Sequence, residues 1–332
     1  MMSRLNNYSD SIGVVVIGRN EGARLKKCLE SIIKSSKNVV YVDSGSTDNS
    51  IDIAKSIGTN VAHLDLSKPF TAARARNEGF KRLREMKPDL SFVQFVDGDC
   101  EIAEGWFGQA AEYLSQSQDI AVVCGRRRER YPDASIYNML CDIEWNTPVG
   151  EAKACGGDAL IRSSVFEQVE GFNPDLIAGE EPELCVRIRQ LGWKVWRLDA
   201  EMTMHDANIT RFGQWWKRNV RSGYAFALGS YMHGASSERH WESEVKRAQL
   251  WGGYIPLAIT LATIINIAFL IGFLIYPLQV VRIALTKRQT VNTNWIYALF
   301  VTLGKFPEMQ GQIKFYLNRL FKSHTKIIEY KK

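Results

Sequence analysis

The chain has 332 residues, 45% of them hydrophobic and 23% charged, which suits a globular domain with a sizeable core and an appendage. Six scattered cysteines with no C-x-x-C pair argue against a zinc ribbon or a disulfide framework and fit a reducing compartment. The net charge of +6 sits in the C-terminal tail, where Arg282 to Lys332 carry ten Lys/Arg against two Asp/Glu; beside an apolar segment this points to an anionic membrane surface and not to nucleic acid.

The opening MMSRLNNYSDSIG has no apolar stretch, so a cleaved signal peptide is not expected. From residue 12 strands and helices alternate. IGVVVIG reads as a strand, and GARLKKCLESII as a helix with Leu25, Cys28, Leu29, Ile32 and Ile33 on one face. NVVYVD is a second strand, followed by the helix DNSIDIAKSIG and the short strand NVAHLDL. A helix follows around Ala72 to Arg84, then the strand FVQFV and the strand IAVVCG. This order predicts an α/β fold with a mostly parallel sheet covered by helices on both faces.

Ligands bind outside the carboxyl ends of such strands. The first strand exits into Arg19, Asn20 and Glu21, the second into Asp43, Ser46 and Asp48, and a later one into Asp97-Gly98-Asp99, so all three exits are expected at one crevice. Two carboxylates one glycine apart repel each other and resist desolvation. A metal ion, or a ligand that brings one, would settle that repulsion. No G-x-G-x-x-G follows the first strand and no P-loop occurs. The phosphates of a nucleotide would then need a metal and basic side chains, for which Arg74 and Arg76 are candidates, although either alone is as readily a solvated helix face.

The C-terminal part holds Tyr254 to Val281, 28 residues without a charge, long enough to span a bilayer as a helix. Asn266, Pro256 and Pro277 leave room for a kink or a hairpin, and Trp295 to Leu303 reads as a partial span or an interfacial helix. Three regions are expected: a catalytic domain over 1–235, a connection over 236–253 and a membrane-associated region over 254–332.

The ordered series VVVIGRNEGARLKKCLESI, VYVDSGSTDNS, ARARNEG, FVDGDC, CGGDALIR and GFNPDLIAGEEPELCVRIRQLGW resembles the family-2 glycosyltransferases, over roughly residues 12 to 225. The resemblance implies the GT-A fold, a Rossmann-like nucleotide-diphospho-sugar transferase fold. It implies nucleotide or donor binding by Arg19, Asn20, Glu21, Asp43, Ser46, Asp48, Arg74, Arg76, Asn77, Asp97 and Gly98, with Asp43 at the base. The family often reads Asp-Asp-Gly-Ser at that loop; here Ser44 replaces the second Asp. Asp97 and Asp99 match the D-x-D that holds a divalent cation on the diphosphate, and hard oxygen ligands suit Mg2+ or Mn2+. His205 lies where related enzymes supply a further metal or phosphate ligand, although a lone histidine is more often structural.

Glu180 and Glu181 match the family's acidic pair at a helix start, where the second acid is the base, more often Asp than Glu. By itself the pair is only an acidic first turn favoured by the helix dipole. Gly156, Gly157, Asp158 and Glu180 match the acceptor or donor-sugar side. Arg218 and Arg221 fall near the place of the [QR]-x-x-R-W motif of processive synthases and are expected at the diphosphate; Ser222 in place of Trp implies one sugar per encounter. Trp215 and Trp216 suit either a membrane interface or a core. The run Arg126, Arg127, Arg128 and Arg130 reads as a solvated loop.

The expected activity is inverting transfer of a sugar from a UDP-sugar, or a GDP- or dTDP-sugar, to a lipid-linked or glycan acceptor in surface polysaccharide or glycolipid synthesis. The expected place is the cell membrane, with the catalytic domain facing the cytoplasm. A haloacid-dehalogenase-type phosphohydrolase also places D-x-D after a strand, but there the pair lies near the N-terminus with Thr or Val two residues on, not Glu101. The non-enzymatic alternative is an inactive, membrane-anchored sugar-nucleotide-binding scaffold.

Overall fold

The computed structural model describes residues 8–286 and 291–321. They divide into two compact units, the first made of the residues up to 134 with Cys141–Asn208, the second of Ser135–Leu140 with the residues from 209 on.

The first unit opens with β1 (Ile12–Gly18), α1 (Ala23–Ile33), β2 (Asn38–Asp43), α2 (Ser50–Ser56), β3 (Asn60–His63) and α3 (Ala72–Met86). It continues through β4 (Phe92–Asp97), β5 (Cys100–Ile102), α4 (Trp106–Gln116), β6 (Ile120–Glu129) and α5 (Ile136–Trp145), which straddles the division. It closes with β7 (Gly150–Ala152), β8 (Ala159–Arg162), α6 (Ser163–Gln168), α7 (Glu180–Gln190) and β9 (Lys194–His205). One sheet runs β3-β2-β1-β4-β8-β6-β9-β5, with β7 on β9. β3, β2, β1 and β4 pair in parallel, as the alternation predicts. The other half is mixed: β8 runs antiparallel to both β4 and β6, and only β6–β9 is parallel there. The sheet is therefore less parallel than the sequence predicts: β5 follows β4 with no helix between them, and β8 runs back against both β4 and β6.

The core lies where the apolar patterns meet the sheet. Val14, Val15 and Val16 are fully buried in β1, as an apolar run in a strand covered on both faces should be. Leu25, Cys28, Leu29 and Ile32 cover it from α1, but Ile33 is 41% exposed, since it sits about 80° off the centre of that stripe. On α3, Gly79 lets the helix approach closely: a Cβ there would lie 2.3 Å from Val15 Cγ1. The Thr71 hydroxyl starts this helix by accepting the Arg74 amide.

The second unit contains α8 (Phe212–His233), α9 (Glu242–Gln249), α10 (Ile255–Ile265), α11 (Ile275–Thr286), α12 (Val291–Leu303) and α13 (Lys305–Leu320). α8 and α13 pack through glycines, because a Cβ on Gly223 would meet the Glu308 backbone and one on Gly311 the Val220 carbonyl. This contact ties α8 to the C-terminal helices, so the division falls after Asn208 and not after residue 235. Trp215 is core here, with its ring stacked on Tyr137 and edge-on to Phe300. The charge-free segment is not one helix. It breaks at Asn266, leaving two stretches apolar and long enough to cross a membrane, Glu242–Ile265 and Ile267–Thr286. Trp295 to Leu303 forms the end of α12. Lys287, Arg288 and the tail from 322 on lie outside the described residues.

Gly79→Ala is expected to destabilise the protein by about 1–3 kcal/mol through overpacking. Chemical denaturation checks this, with an unchanged midpoint as the opposing result.

Candidate active site

The acidic strand exit is built by register. Ile17 on β1 stands beside Asp97 on β4, and Cys100 on β5 opposes His205 on β9. A Cβ on Gly98 would press on the Ile17 carbonyl at 3.1 Å, so the turn between the two acids needs a residue this small. The two carboxylates then part company. Asp97 turns to two arginines, with Arg76 Nη2 at 2.8 Å from Oδ1 and Arg127 Nη2 at 3.1 Å from Oδ2. Asp99 turns to His205, whose Nε2 lies 3.3 Å from Oδ2.

Arg76 is 1% exposed and serves three acids. Besides Asp97, its Nη1 lies 2.8 Å from Glu180 Oε1 and 3.1 Å from Glu181 Oε1. Burial works against the charge of Arg76, but Glu181, Asp97 and Glu180 outweigh it and raise its pKa. The two glutamates differ in access. The Glu180 side chain is 5% exposed and that of Glu181 is 16%. Burial, then Glu180, push the Glu181 carboxyl up to about 7 against the pull of Arg76. Burial opposes ionisation of Asp97 too, yet Arg76 and Arg127 prevail and hold its pKa below the usual range.

Arg127 is the residue the sequence reading passed over. Arg126, Arg127 and Arg128 of the basic run lie on the end of β6 and Arg130 just beyond it, and each finds an acid: Asp142 for Arg126, Asp97 and Asp158 for Arg127, Glu201 for Arg128 and Glu101 for Arg130. Arg127 reaches Asp97 Oδ2 at 3.1 Å, Asp158 Oδ2 at 3.1 Å and Cys100 Sγ at 3.2 Å. Its guanidinium lies over the Trp145 ring, whose edge meets the imidazole of His205. A run of like charge on a strand hides which members point inward, more so where the β6–β9 pairing shifts register at this point.

Among the described residues, two groups of side chains bring metal-ligating atoms within 4.8 Å of one another. In the group of Asp97, Cys100 and Asp158, Arg127 contacts all three and supplies the positive charge itself. In the group of Asp99, Cys100 and His205, Arg127 contacts the Cys100 sulfur. Burial and nearby carboxylates hold the Cys100 thiol well above its ordinary pKa, so it is a poor ligand. Asp99 oxygen and His205 nitrogen remain, a donor pair that fits Mn2+ or Mg2+ with further oxygens from a diphosphate. Glu129, another residue the sequence reading missed, lies 4.0 Å from His205 Nδ1 and accepts the amides of Tyr131 and Ala207.

Other expected contacts are amended. Asp158 is fully buried and accepts the Asp97 amide and the Thr203 hydroxyl besides pairing with Arg127, so it organises the site and does not face a sugar. Gly157 does permit close approach, since a Cβ there would lie 2.9 Å from Asp97 Oδ2. Gly156 adopts a positive φ of 76°. Arg74 donates to the carbonyls of Asp65, Lys68 and Pro69 and does not join the acids. Two helical residues apart, it points some 200° around the axis from Arg76. Asn77 bridges both the N–H and C=O of Phe172.

Around β1 and β2, Asn20 Oδ1 accepts the Thr47 amide, the Asn20 amide donates to Ser46, and those of Glu21 and Gly22 donate to Ser50. Arg19 lies over the Phe70 ring. Asp43 accepts the Tyr41 hydroxyl and the amides of Gly45 and Ser46, and Asp48 accepts the Ser50 amide, so both acids shape this loop. Arg218 and Arg221 lie on α8, in the second unit.

Comparison with known proteins adds to this geometry. Residues 13–166 match the model of the family described as Glycosyl transferase family 2. The chain is 23% identical over 225 residues to the glycosyltransferase AglE of Haloferax volcanii, covering 64% of this chain and 71% of that protein. It is 24% identical over 217 residues to the O-antigen chain rhamnosyltransferase RfbN of Salmonella typhimurium, covering 60% and 67%. The mannosyltransferase PcManGT of Pyrobaculum calidifontis, solved with GDP-Man and Mn2+, superposes with a TM-score of 0.59 at 16% identity over 93% of this chain and 88% of that one. Glucosyl-3-phosphoglycerate synthase of Mycobacterium tuberculosis, solved with Mn2+, UDP and its product, gives 0.52 at 17% identity over 71% and 85%. The fold is theirs, and residues 13–166 are similar to the family-2 glycosyltransferase domain.

Proposed function

We propose that this glycosyltransferase moves a sugar from a nucleotide-diphosphate sugar to a hydroxyl acceptor in one inverting step. The observation that carries the reading is Glu181. It is the more open of two carboxylates on one buried arginine, and its pKa is pushed up to about 7. A carboxylate poised near neutrality is suited to accept a proton from an attacking hydroxyl. Arg76 and Glu180 fix its place at the start of α7. Asp99 and His205 would hold a Mn2+ or Mg2+ ion, which neutralises the departing diphosphate when bound. Arg127 keeps Asp97 ionised beside this pair without spending the cation on it.

The donor proposed is a UDP-sugar, with GDP- and dTDP-sugars as the other arms of a substrate panel. The solved neighbours carry GDP-Man and UDP. The acceptor proposed is lipid-linked or a growing surface glycan, a reading supported by the likeness to an O-antigen chain rhamnosyltransferase and by the apolar stretches of the second unit. Membrane attachment with the catalytic domain on the cytoplasmic side follows from the same reading.

Glu181→Gln is expected to lower kcat by about 10²–10⁴-fold while nucleotide binding is kept, measured by turnover against nucleotide titration. Full activity in this variant removes Glu181 as the base. The base must be ionised to act, and its carboxyl is protonated below its pKa. Turnover should therefore fall as pH drops through about 7 and level off above it. A rate independent of pH between 6 and 8 contradicts the assignment.

A further inference from the structure

Resting on the membrane attachment proposed above, we infer that the segment around Asn266 is a hairpin that enters the bilayer from one side and ends inside it, crossing neither once nor twice. From residue 248 to residue 281 no side chain is charged, and the nearest charges on either side are Arg247 and Arg282. Asn266 breaks the helix with an extended backbone, and its Oδ1 accepts the Ala268 amide, so the chain reverses in a single residue. The two arms then touch: a Cβ on Gly272 would lie 3.2 Å from Ile259 Cγ1.

The outer surface of the hairpin is apolar all round. Ile264, Ile265, Ile267 and Ile271 are 70% to 85% exposed at its end, and Leu257 and Leu278 are more than half exposed nearer its base. A protein groove would cover one face, whereas an all-round apolar surface calls for an apolar solvent. The threonine hydroxyls of the first arm are satisfied inside the hairpin, as lipid demands. The Thr260 hydroxyl donates to the Pro256 carbonyl and that of Thr263 to the Ile259 carbonyl.

The base has the features of a water–lipid boundary. Residues Leu250–Tyr254 form a π-helical turn, in which the Trp251 carbonyl would take its donor from residue 256. That residue is proline and has no N–H. The Tyr276 hydroxyl from the other arm donates to the Trp251 carbonyl instead, at 2.7 Å. Trp251, Tyr254 and Tyr276 thus share one level, where amphipathic aromatics favour the interface. The base is seated on α13, because a Cβ on Gly252 would meet the Lys305 carbonyl.

The two stretches as a whole are long enough to cross, but counted from the aromatic level at the base the arms are not. From Tyr254 to Ile265 the first arm rises about 18 Å as α-helix. From Ile267 to Tyr276 the second rises about 19 Å, because Ile267–Leu274 is the more extended 3₁₀ form. The arms match each other and pass the midplane of a hydrocarbon layer about 30 Å thick, but they do not reach its far side.

The test uses the full chain in sealed membrane vesicles, with single added cysteines at Lys246, Asn266 and Arg282, and Ile265→Cys as a second probe of the tip. The six native cysteines are buried. After washing with high salt and carbonate, the protein should stay with the membrane. Lys246→Cys and Arg282→Cys should react with an impermeant maleimide on the same side. Asn266→Cys and Ile265→Cys should resist it from both sides, and a fluorophore attached there after detergent opening should be quenched by lipids brominated near the chain ends. Labelling of the two flanks from opposite sides would mean a single span, and labelling of the tip from the far side a double span; either overturns the inference while keeping membrane attachment. Release by the wash, as monomer or as an oligomer covering the hairpin, overturns the attachment itself.

Discussion

The site depends on one buried guanidinium. Arg76 stands on α3, which Gly79 lets close on the sheet, and joins the end of β4 to the start of α7 through Asp97, Glu180 and Glu181. An arginine this buried is tolerable only because acids surround it, and three acids this close are tolerable only because it is there. Removing one side of such a pair leaves an uncompensated charge in the interior, at about 3–5 kcal/mol. The position of the proposed base is thus an outcome of core packing as much as of the loop that carries it.

The same economy separates the two aspartates. Nearest neighbours in sequence but for one glycine, they face opposite partners: Asp97 two arginines, Asp99 an imidazole. Arg127 completes the first set by taking Asp97, Asp158 and Cys100 together. Like-charge repulsion between the carboxylates is answered on one side by the protein's own cations. On the other the carboxylate faces His205, where a cation is proposed. That division gives the two acids of a D-x-D strand exit different surroundings, the first set by arginines and the second by histidine.

Much of this was legible in the chain. The alternating elements from β1 to β6 follow from their apolar periods, and the order of motifs carries the family. The acid positions on β4 and α7 follow from those motifs too. What escaped depends on contacts distant in sequence. No period marks β5 or β8 as returning strands. The inward turn of Arg127 is set by a register shift against β9, some 75 residues on, and the run around it looks like any exposed basic loop. Asp158 and Asn77 have residue types that suit a ligand, and only the burial of Asp158 against Thr203 and the paired hydrogen bonds of Asn77 to Phe172 show them committed to the fold. In the second unit the break at Asn266 is local and was visible as a polar residue in an apolar run. The arm lengths that follow from a 3₁₀ segment were not, because 3₁₀ and α conformers share their residue preferences.

Asp99 and His205 are proposed to hold a cation which, with a nucleoside diphosphate, completes the site. Thermal stability of the detergent-solubilised chain against UDP, GDP and dTDP, each with and without Mn2+, tests it most directly. Stabilisation by one nucleotide only when Mn2+ is present, lost in Asp99→Asn, is the predicted result. A folded protein that none of the three stabilises, or one stabilised equally without the metal, would contradict it.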